Sequence, residues 1–329
     1  MSLVKDNIII GIDTSCYTTS IAAISLDRKV IFNERIILDV GEKSKGLRQS
    51  EAVFQHVKNL GTIVESMKKL MTKHNVAAIC VSDRPRPMED SYMPVFKVGE
   101  NFAQLTGCML GVPVYLTSHQ ENHIEASLYT NNMKGSDKFL SVHMSGGTSE
   151  VLLVSKLSES NEDVNELYNI NIVGGSKDIS FGQLIDRVGV NLGYKFPAGK
   201  YIDENAINCN IKISQGLKTS VKEGYINISG LENQIYKIDE SKEYTSKLTL
   251  DSIVRSVYKS VVYLSEKYNL SEVLFAGGVS ASKYINIELT KKLRQGNITA
   301  YFTEPQYSTD NAVGCAIIGL NKFIRQKKS

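Results

Sequence analysis

The chain opens on a dense apolar run, Ile8-Ile9-Ile10-Gly11-Ile12, with the length and composition of a strand buried on both faces. It predicts a strand at 7–13, closed by the polar turn Thr14-Ser15-Cys16-Tyr17-Thr18-Thr19. Strands at 20–26 and 30–36 follow, joined by a turn at Asp27-Arg28. Residues 51–74 then place Val53, Leu60, Ile63, Val64, Met67 and Leu70 at helical spacing. A buried-strand run at 76–81, a helix at 100–110 and a short strand at 112–116 come next. The pattern then begins again. An apolar run at 139–144 leads into Ser145-Gly146-Gly147-Thr148-Ser149, with strands at 150–154 and near 167–173. Helices at 180–192, 250–267 and 281–293 alternate with strands at 273–276 and 299–302, and a last helix runs over 310–324. Residues 207–248 show no period and read as a surface excursion of the second half.

A strand meander leading into alternating helices and strands, done twice, predicts two α/β lobes with a cleft between them. We place the first lobe at 1–118 together with the C-terminal helix at 310–329, and the second at 119–309. The 329-residue length agrees, because single cores stop growing near about 250–300 residues. A composition of 42% hydrophobic and 22% charged residues is that of an ordinary globular protein. The net charge of +3 permits a nucleic-acid partner without pointing to one. No run reaches the ~20 apolar residues of a membrane helix, and the stretch after Met1 is too short for a signal peptide. Cys16, Cys80, Cys108, Cys209 and Cys315 show neither zinc-knuckle nor redox-pair spacing. A reducing cytoplasm, with no membrane involved, is the expected setting.

Two turns offer small residues and backbone donors: Gly11-Ile12-Asp13-Thr14-Ser15 and Ser145-Gly146-Gly147-Thr148-Ser149. Glycine lets amides approach an anion closely, so a facing pair of such turns would grip a nucleotide's phosphates. Turns of this kind after strands are also ordinary hairpins. A third, Ala276-Gly277-Gly278-Val279-Ser280, follows a strand and opens a helix, which suits a base or ribose. Neither a Walker loop nor a dinucleotide glycine fingerprint is present. Two of the five histidines stand in His119-Gln120-Glu121-Asn122-His123. At i and i+4 of a helix their rings share a face and can hold one metal ion. Two surface histidines at a helix start would show the same spacing. Glu121 points away from that face, so a zinc peptidase's general base is missing from its place. His143 ends the strand before Ser145, and Asp310 sits where a helix begins, as cap, ligand or both.

Seven segments, in this order, resemble the tRNA threonylcarbamoyladenosine transferase family, long filed as O-sialoglycoprotein endopeptidases or glycoproteases. They are GIDTSC at 11–16, HQENH at 119–123, MSGGTSE at 144–150, FGQLIDRVGVNLGYKFPAG at 181–199, NISGL at 227–231, FAGGVSASKYI at 275–285 and STDNAVG at 308–314. The resemblance covers essentially the whole chain. It implies an actin-like ATPase fold, a ribonuclease H-like α/β double lobe with a nucleotide cleft. It also implies one divalent metal, iron or zinc, on His119, His123 and Asp310, with His143 in the slot of the tyrosine that archaeal members use. By the same match, His143, Met144, Ser145, Gly146 and Gly147 would line a phosphate site. Asp186 would hold ribose hydroxyls, and Gly199, Gly277, Gly278 and Ser282 would meet the adenosine. Asp13, Ser145 and Thr148 are the catalytic candidates.

The implied reaction moves a threonylcarbamoyl group from threonylcarbamoyl-AMP, an ATP/AMP-type nucleotide, to the adenosine beside the anticodon. Partners would be tRNA and the companion proteins of that pathway. Lys43, Lys45, Arg48, Arg84, Arg86 and Lys97 are basic residues available to phosphate. Three departures stand out. Thr148 replaces the histidine of the bacterial SGGHT, Ser282 the asparagine of GGVSAN, and Ser82-Asp83-Arg84-Pro85-Arg86-Pro87-Met88 the GPGL loop. The alternative they raise is a nucleotide-binding paralogue acting as a regulatory or partner subunit. A metallopeptidase follows only from the old family name.

Overall fold

The computed structural model describes residues 5–15, 17–40, 47–88, 90–131, 133, 136–157 and 167–328; Cys16, Lys43 and Lys45 lie outside them. In chain order the elements are β1 (Asp6–Ser15), β2 (Thr18–Ser25), β3 (Val30–Ile37), α1 (Gln49–Met71), β4 (His74–Arg84), α2 (Phe96–Leu110), β5 (Val114–Ser118) and α3 (His119–Thr130). Next come β6 (Lys138–Met144), β7 (Ser149–Lys156), β8 (Tyr168–Ser176), α4 (Phe181–Asn191), α5 (Gly199–Asn208), β9 (Ser220–Lys222), β10 (Tyr225–Asn227) and α6 (Ser229–Ile235). The chain ends with α7 (Lys242–Tyr268), β11 (Glu272–Ala276), α8 (Lys283–Gln295), β12 (Thr299–Phe302), α9 (Pro305–Ser308) and α10 (Val313–Lys328). Two compact units result. One comprises Met1–Thr130, Leu157–Asn169 and Asp310–Ser329; the other comprises Asn131–Lys156 and Ile170–Thr309.

In the first unit the sheet order is β3-β2-β1-β4-β5, antiparallel through the meander and parallel from β1 to β5. Strand alternation sorts β1 between two helical layers. Ile10 and Ile12 pack with Leu60, Ile63 and Met67 of α1 and Ala103 of α2. Ile9 and Gly11 face α10, and Asp13 shares their side of the strand. Of the apolar positions that the spacing marks on α1, Leu60, Ile63 and Met67 are buried, in a stripe that Ala52 and His56 complete, while Val53, Val64 and Leu70 are half-buried. The expected boundary at residue 118 differs from the observed grouping. Helix α3 belongs with the first unit, because it packs along α10, which itself lies on β1 and β4.

The second unit has the order β12-β11-β6-β7-β8-β10-β9. Its β8-β7-β6-β11-β12 portion repeats the order of the first sheet, with β10 and β9 added beyond β8. Its core joins the sheet to α4 (Leu184, Ile185, Val188), α7 (Ile253, Val257, Val261, Leu264) and α8 (Ile285, Leu289, Leu293). The unperiodic stretch 207–248 holds β9, β10, α6 and the start of α7. Three-residue strands and a seven-residue helix are too short to show a period. The first turns of α7 bury Thr245 and Ser246, so no apolar stripe marks them. Helix α5 escaped prediction because only Ile202 and Ala206 are buried in it. Helix α1 ends at Met71 and His74 opens β4, while Asp310 precedes α10 and does not lie in it. Among the described residues no helix is long and apolar enough to cross a membrane, and Cys80, Cys108, Cys209 and Cys315 are free thiols.

Candidate functional site

Helix α3 is anchored at its first turn by a capping box that Ser118-x-x-Glu121 encodes. The Glu121 amide donates to Ser118 Oγ at 3.2 Å, and the Ser118 amide donates to Glu121 Oε2 at 2.9 Å. The same carboxylate oxygen accepts the hydroxyls of Ser118 and Thr117, each at 2.9 Å. A further first-turn amide, that of Gln120, donates to the Pro85 carbonyl at 3.0 Å. Asn122 then ties α3 to α10. Its Nδ2 donates to the Asn311 carbonyl at 2.6 Å, and its Oδ1 accepts the Cys315 amide at 2.8 Å. Asn122 thereby satisfies a donor in the first turn of α10, and Asn311 Oδ1 takes another from Val313 at 2.9 Å. Gly314 makes the approach possible, since a Cβ there would stand 1.9 Å from the Asn122 carbonyl oxygen.

These anchors bring His119, His123 and Asp310 together. The two Nε2 atoms are 3.1 Å apart; Asp310 Oδ1 lies 3.3 Å from that of His123 and 3.7 Å from that of His119. Behind His119, its Nδ1 lies 2.9 and 3.1 Å from the two oxygens of Asp13, which is fully buried at the end of β1. A carboxylate can only accept, so Nδ1 carries a proton, and the proton that a bound metal displaces is the one on Nε2. Ser82 of β4 also donates its hydroxyl to Asp13, and Ser15 donates to the second oxygen of Asp310 at 3.1 Å. Burial disfavours the His119 cation, but the charge and hydrogen bond of Asp13, with Asp310 adding, push the ring up to about 9. Burial likewise opposes the Asp310 anion, yet the His123 hydrogen bond and both imidazoles hold its carboxyl far below the usual range.

The spacing and chemistry fit one metal ion. Three ligand atoms about 2.1 Å from a zinc or iron at near-tetrahedral angles stand about 3.4 Å apart, and the observed separations straddle that value. Two imidazoles and a carboxylate are the set that non-haem iron(II) and catalytic zinc take. His143 is half-buried on β6 of the second unit, beside Ala276 of β11 and Glu150 of β7. The three first-unit ligands converge without it.

In the second unit, Ser145-Gly146-Gly147-Thr148 closes a tight turn between β6 and β7. The Ser145 amide donates to the Thr148 carbonyl at 2.8 Å, and the Thr148 amide to Ser145 Oγ at 2.9 Å. Gly146 and Gly147 are exposed, and a Cβ on either would meet nothing within 4 Å. Helix α4 braces the turn from behind. Ser180 donates its hydroxyl to the Gly146 carbonyl, Gly182 its amide to Ser145 O at 3.2 Å, and Phe181 its amide to Ser149 Oγ at 2.9 Å. Met144 is buried beneath. At Gly277, φ is +93° and a Cβ would press on the Met144 carbonyl at 2.3 Å, so only glycine lets this segment cross β6. Gly278 opens the 3-10 turn beyond it.

Two expected nucleotide contacts have structural partners as well. Asp186 Oδ1 accepts the Ala198 amide at 2.7 Å, which pins the segment leading into Gly199 and α5, while burial pushes its carboxyl up. Ser282 caps α8 by accepting the Ile285 amide at 3.2 Å and donates its hydroxyl to Asp203. The sequence reading passed over Asn122, Asp203 and Ser82. Asn122 stood inside a motif already singled out, but only the α10 contact explains it. Ser118-x-x-Glu121 is a capping-box signature legible in the sequence, and it marks the start of α3.

The family model for tRNA N6-adenosine threonylcarbamoyltransferase matches residues 30–317. A protein of that name from Mycoplasmopsis synoviae is 26% identical over 98% of this chain and 99% of its own. One from Nanoarchaeum equitans is 25% identical over 94% and 92%. Among solved structures, full-length HypF in its phosphate- and nucleotide-bound form superposes with a TM-score of 0.59 at 12% identity, covering 99% of this chain; the chain spans about half (47%) of HypF. An activator of 2-hydroxyisocaproyl-CoA dehydratase from Clostridium difficile gives 0.52 at 12% identity, over 98% and 97% of the two chains. These likenesses show the fold of the actin-like ATPases, as does a glucokinase of the ROK family from Streptomyces griseus at 0.50.

Proposed function

Because this chain belongs to the tRNA N6-adenosine threonylcarbamoyltransferase family, we propose that it transfers a threonylcarbamoyl group from threonylcarbamoyl-AMP to the adenosine beside a tRNA anticodon. The N6 nitrogen bonds to the carbamoyl carbon, the bond from that carbon to the phosphate oxygen breaks, AMP leaves, and the displaced N6 proton passes to water. One observation carries the reading. Two imidazole nitrogens and a carboxylate oxygen converge within 3.1–3.7 Å, with Asp13 fixing the tautomer of one ring.

His119, His123 and Asp310 would hold a divalent ion, iron or zinc. When bound, that ion supplies Lewis-acid polarisation of a substrate oxygen. Asp13 is then a positioning residue: it holds the Nδ1 proton and keeps Nε2 turned to the ligand set. Ser15 does the same for Asp310 by occupying its second oxygen. Gly146 and Gly147 present exposed backbone to open space and would take the AMP phosphate on their amides. Thr148 contributes by closing that turn through Ser145, a role its backbone performs whatever its side chain. The convergence of His119, His123 and Asp310 and the closed turn support the transferase reading over a regulatory subunit without chemistry. A cytoplasmic setting, tRNA and companion proteins that make the acyl donor belong to the same proposal.

The test pairs metal analysis of the purified protein with transfer of labelled threonylcarbamoyl-AMP to unmodified tRNA, companions supplied. We expect about one ion per chain and labelled tRNA, both lost in His123→Ala and Asp310→Ala. Metal in the wild type with no label on tRNA, under conditions where a relative works, would refute the acceptor reaction.

A further inference from the structure

The segment between α4 and α5 exposes aromatic surface that the core does not use. Phe196 is 74% exposed and Tyr201 40%, with Lys195 and Lys200 beside them in sequence. Tyr194 and Tyr201 stack with ring centroids 5.2 Å apart and planes 6° from parallel. The Lys242 ammonium lies 5.1 Å from the Tyr194 ring.

The backbone that carries these rings is tied down. Tyr194 donates its amide to the Gly189 carbonyl at 3.0 Å, and Gly193 donates to Val190 at 2.9 Å. The Ala198 amide is held by Asp186, and the Tyr194 hydroxyl accepts Asn205 Nδ2 at 2.7 Å. Asp203 spends its carboxylate on Ser282 and on the amides of Lys283 and Tyr284. Glu204 stands 3.9 Å from Lys200, an exposed pair that neutralises little. Fixed aromatic faces with lysines around them are what an unpaired base and its flanking phosphates require. A purely apolar protein partner would leave those ammonium groups to be desolvated without a counter-charge.

We propose that this segment of the second unit is a stacking platform for an unpaired base of single-stranded RNA, with Phe196 as the stacking ring. Lys195, Lys200 and Lys242 take the adjacent phosphates. That the nucleic acid is RNA rests on the acceptor proposed above; the surface itself rests on the rings and lysines.

The test is fluorescence anisotropy with a labelled anticodon stem–loop RNA, using wild type, Phe196→Ala, Phe196→Trp and the Lys195→Ala/Lys200→Ala pair. A duplex of the same composition serves as competitor. One base stack is worth about 5- to 150-fold in affinity, so Phe196→Ala should weaken binding by that range and Phe196→Trp should restore it. Removing two phosphate contacts should flatten the slope of log K against log salt by about 1.4. The duplex should compete poorly. Equal binding by Phe196→Ala and wild type, equal losses in the alanine and tryptophan variants, or no binding by the wild type would each overturn the proposal. Transfer to tRNA by the wild type with unchanged RNA affinity in Phe196→Ala would sink this surface alone. RNA binding through Phe196 with no transfer would keep the surface and remove the acceptor reaction.

Discussion

Gly314→Ala tests whether the contact of α10 on α3 sets the ligand spacing. The added Cβ would meet the Asn122 carbonyl oxygen at 1.9 Å, its Oδ1 at 2.6 Å and its carbonyl carbon at 2.7 Å. Two of these atoms are backbone, and Asn122 lies between the two histidines, so no flexible side-chain end can yield. Restoring an ordinary separation of about 3.2 Å requires the helices to part by roughly 1.3 Å. Metal–ligand distances tolerate only about 0.2 Å, and Asp310 stands at the start of the displaced segment. Asp310 should therefore leave the set, with metal affinity falling at least about 10- to 100-fold. Overpacking should also cost about 1–3 kcal/mol of stability. Gly61→Ala is the control, because a Cβ there meets nothing within 4 Å on an exposed turn of α1. Competition with a chromophoric chelator gives the affinity, and circular dichroism gives the melting point. A folded Gly314→Ala protein that binds zinc or iron(II) as tightly as the Gly61→Ala control would show that this contact does not fix the site.

Asp13→Asn keeps the shape but removes the negative charge behind His119 and turns one of the two accepting oxygens into a donor, so metal affinity should fall about 10- to 100-fold with little change in far-ultraviolet dichroism. His119 titrates at about 9 in the metal-free fold against about 6.5 when unfolded. Its contribution to metal-free stability is full below about 6.5 and lost as the pH rises through about 9, which thermal melts across that window would show. Metal binding at pH 7 should accordingly release a proton, read from the buffer dependence of the calorimetric heat. At Asp178, burial opposes the charge, but donors from Ser229, Ile228 and Ile179 hold the carboxyl far below its usual range. That stabilisation is present above about 3.9 and lost as the pH falls through the folded value. Asp178→Ala should cost about 1–2 kcal/mol in urea unfolding, discounted for exposure, and should blunt the acid dependence.

The duplicated architecture was legible because both meanders run their central strands through the core. Ile8 to Ile12 and Leu140 to Met144 advertise burial by composition alone. The short elements of 207–248 were not, since Ser220–Lys222 and Tyr225–Asn227 are three residues each. The histidine pair was readable from helical spacing and Asp310 was a candidate from the helix start it precedes, but only the resemblance joined it to the pair, because nearly two hundred residues separate it from His123. What spacing could not show is the scaffold. Asp13 reaches His119 because strand alternation turns it to the side of β1 that α10 covers. Ser82 joins it because β4 runs parallel beside β1 in register. The assignment of α3 to the second lobe failed for a related reason, since its polar sequence gives no hint of the helix it packs on.

Helix α3 is buried almost throughout, yet Glu121, Asn122, His123, Glu125 and Ser127 are polar. Such a helix gains little from apolar burial, and each polar group would cost free energy if left without a partner. The structure supplies the partners one by one. Glu121 takes Ser118, Thr117 and the Leu167 amide, and Asn122 takes α10. Glu125 accepts the Tyr168 hydroxyl, and Ser127 donates to the His123 carbonyl. The bonds of Glu121, Asn122 and Glu125 to segments outside the helix fix its rotation about its axis, and that rotation decides whether both imidazoles reach Asp310. The polar residues that look wasted in a core helix are thus what hold the ligand face in place. Substitutions there should weaken metal binding in proportion to the number of bonds they remove, even at positions that never touch the ion.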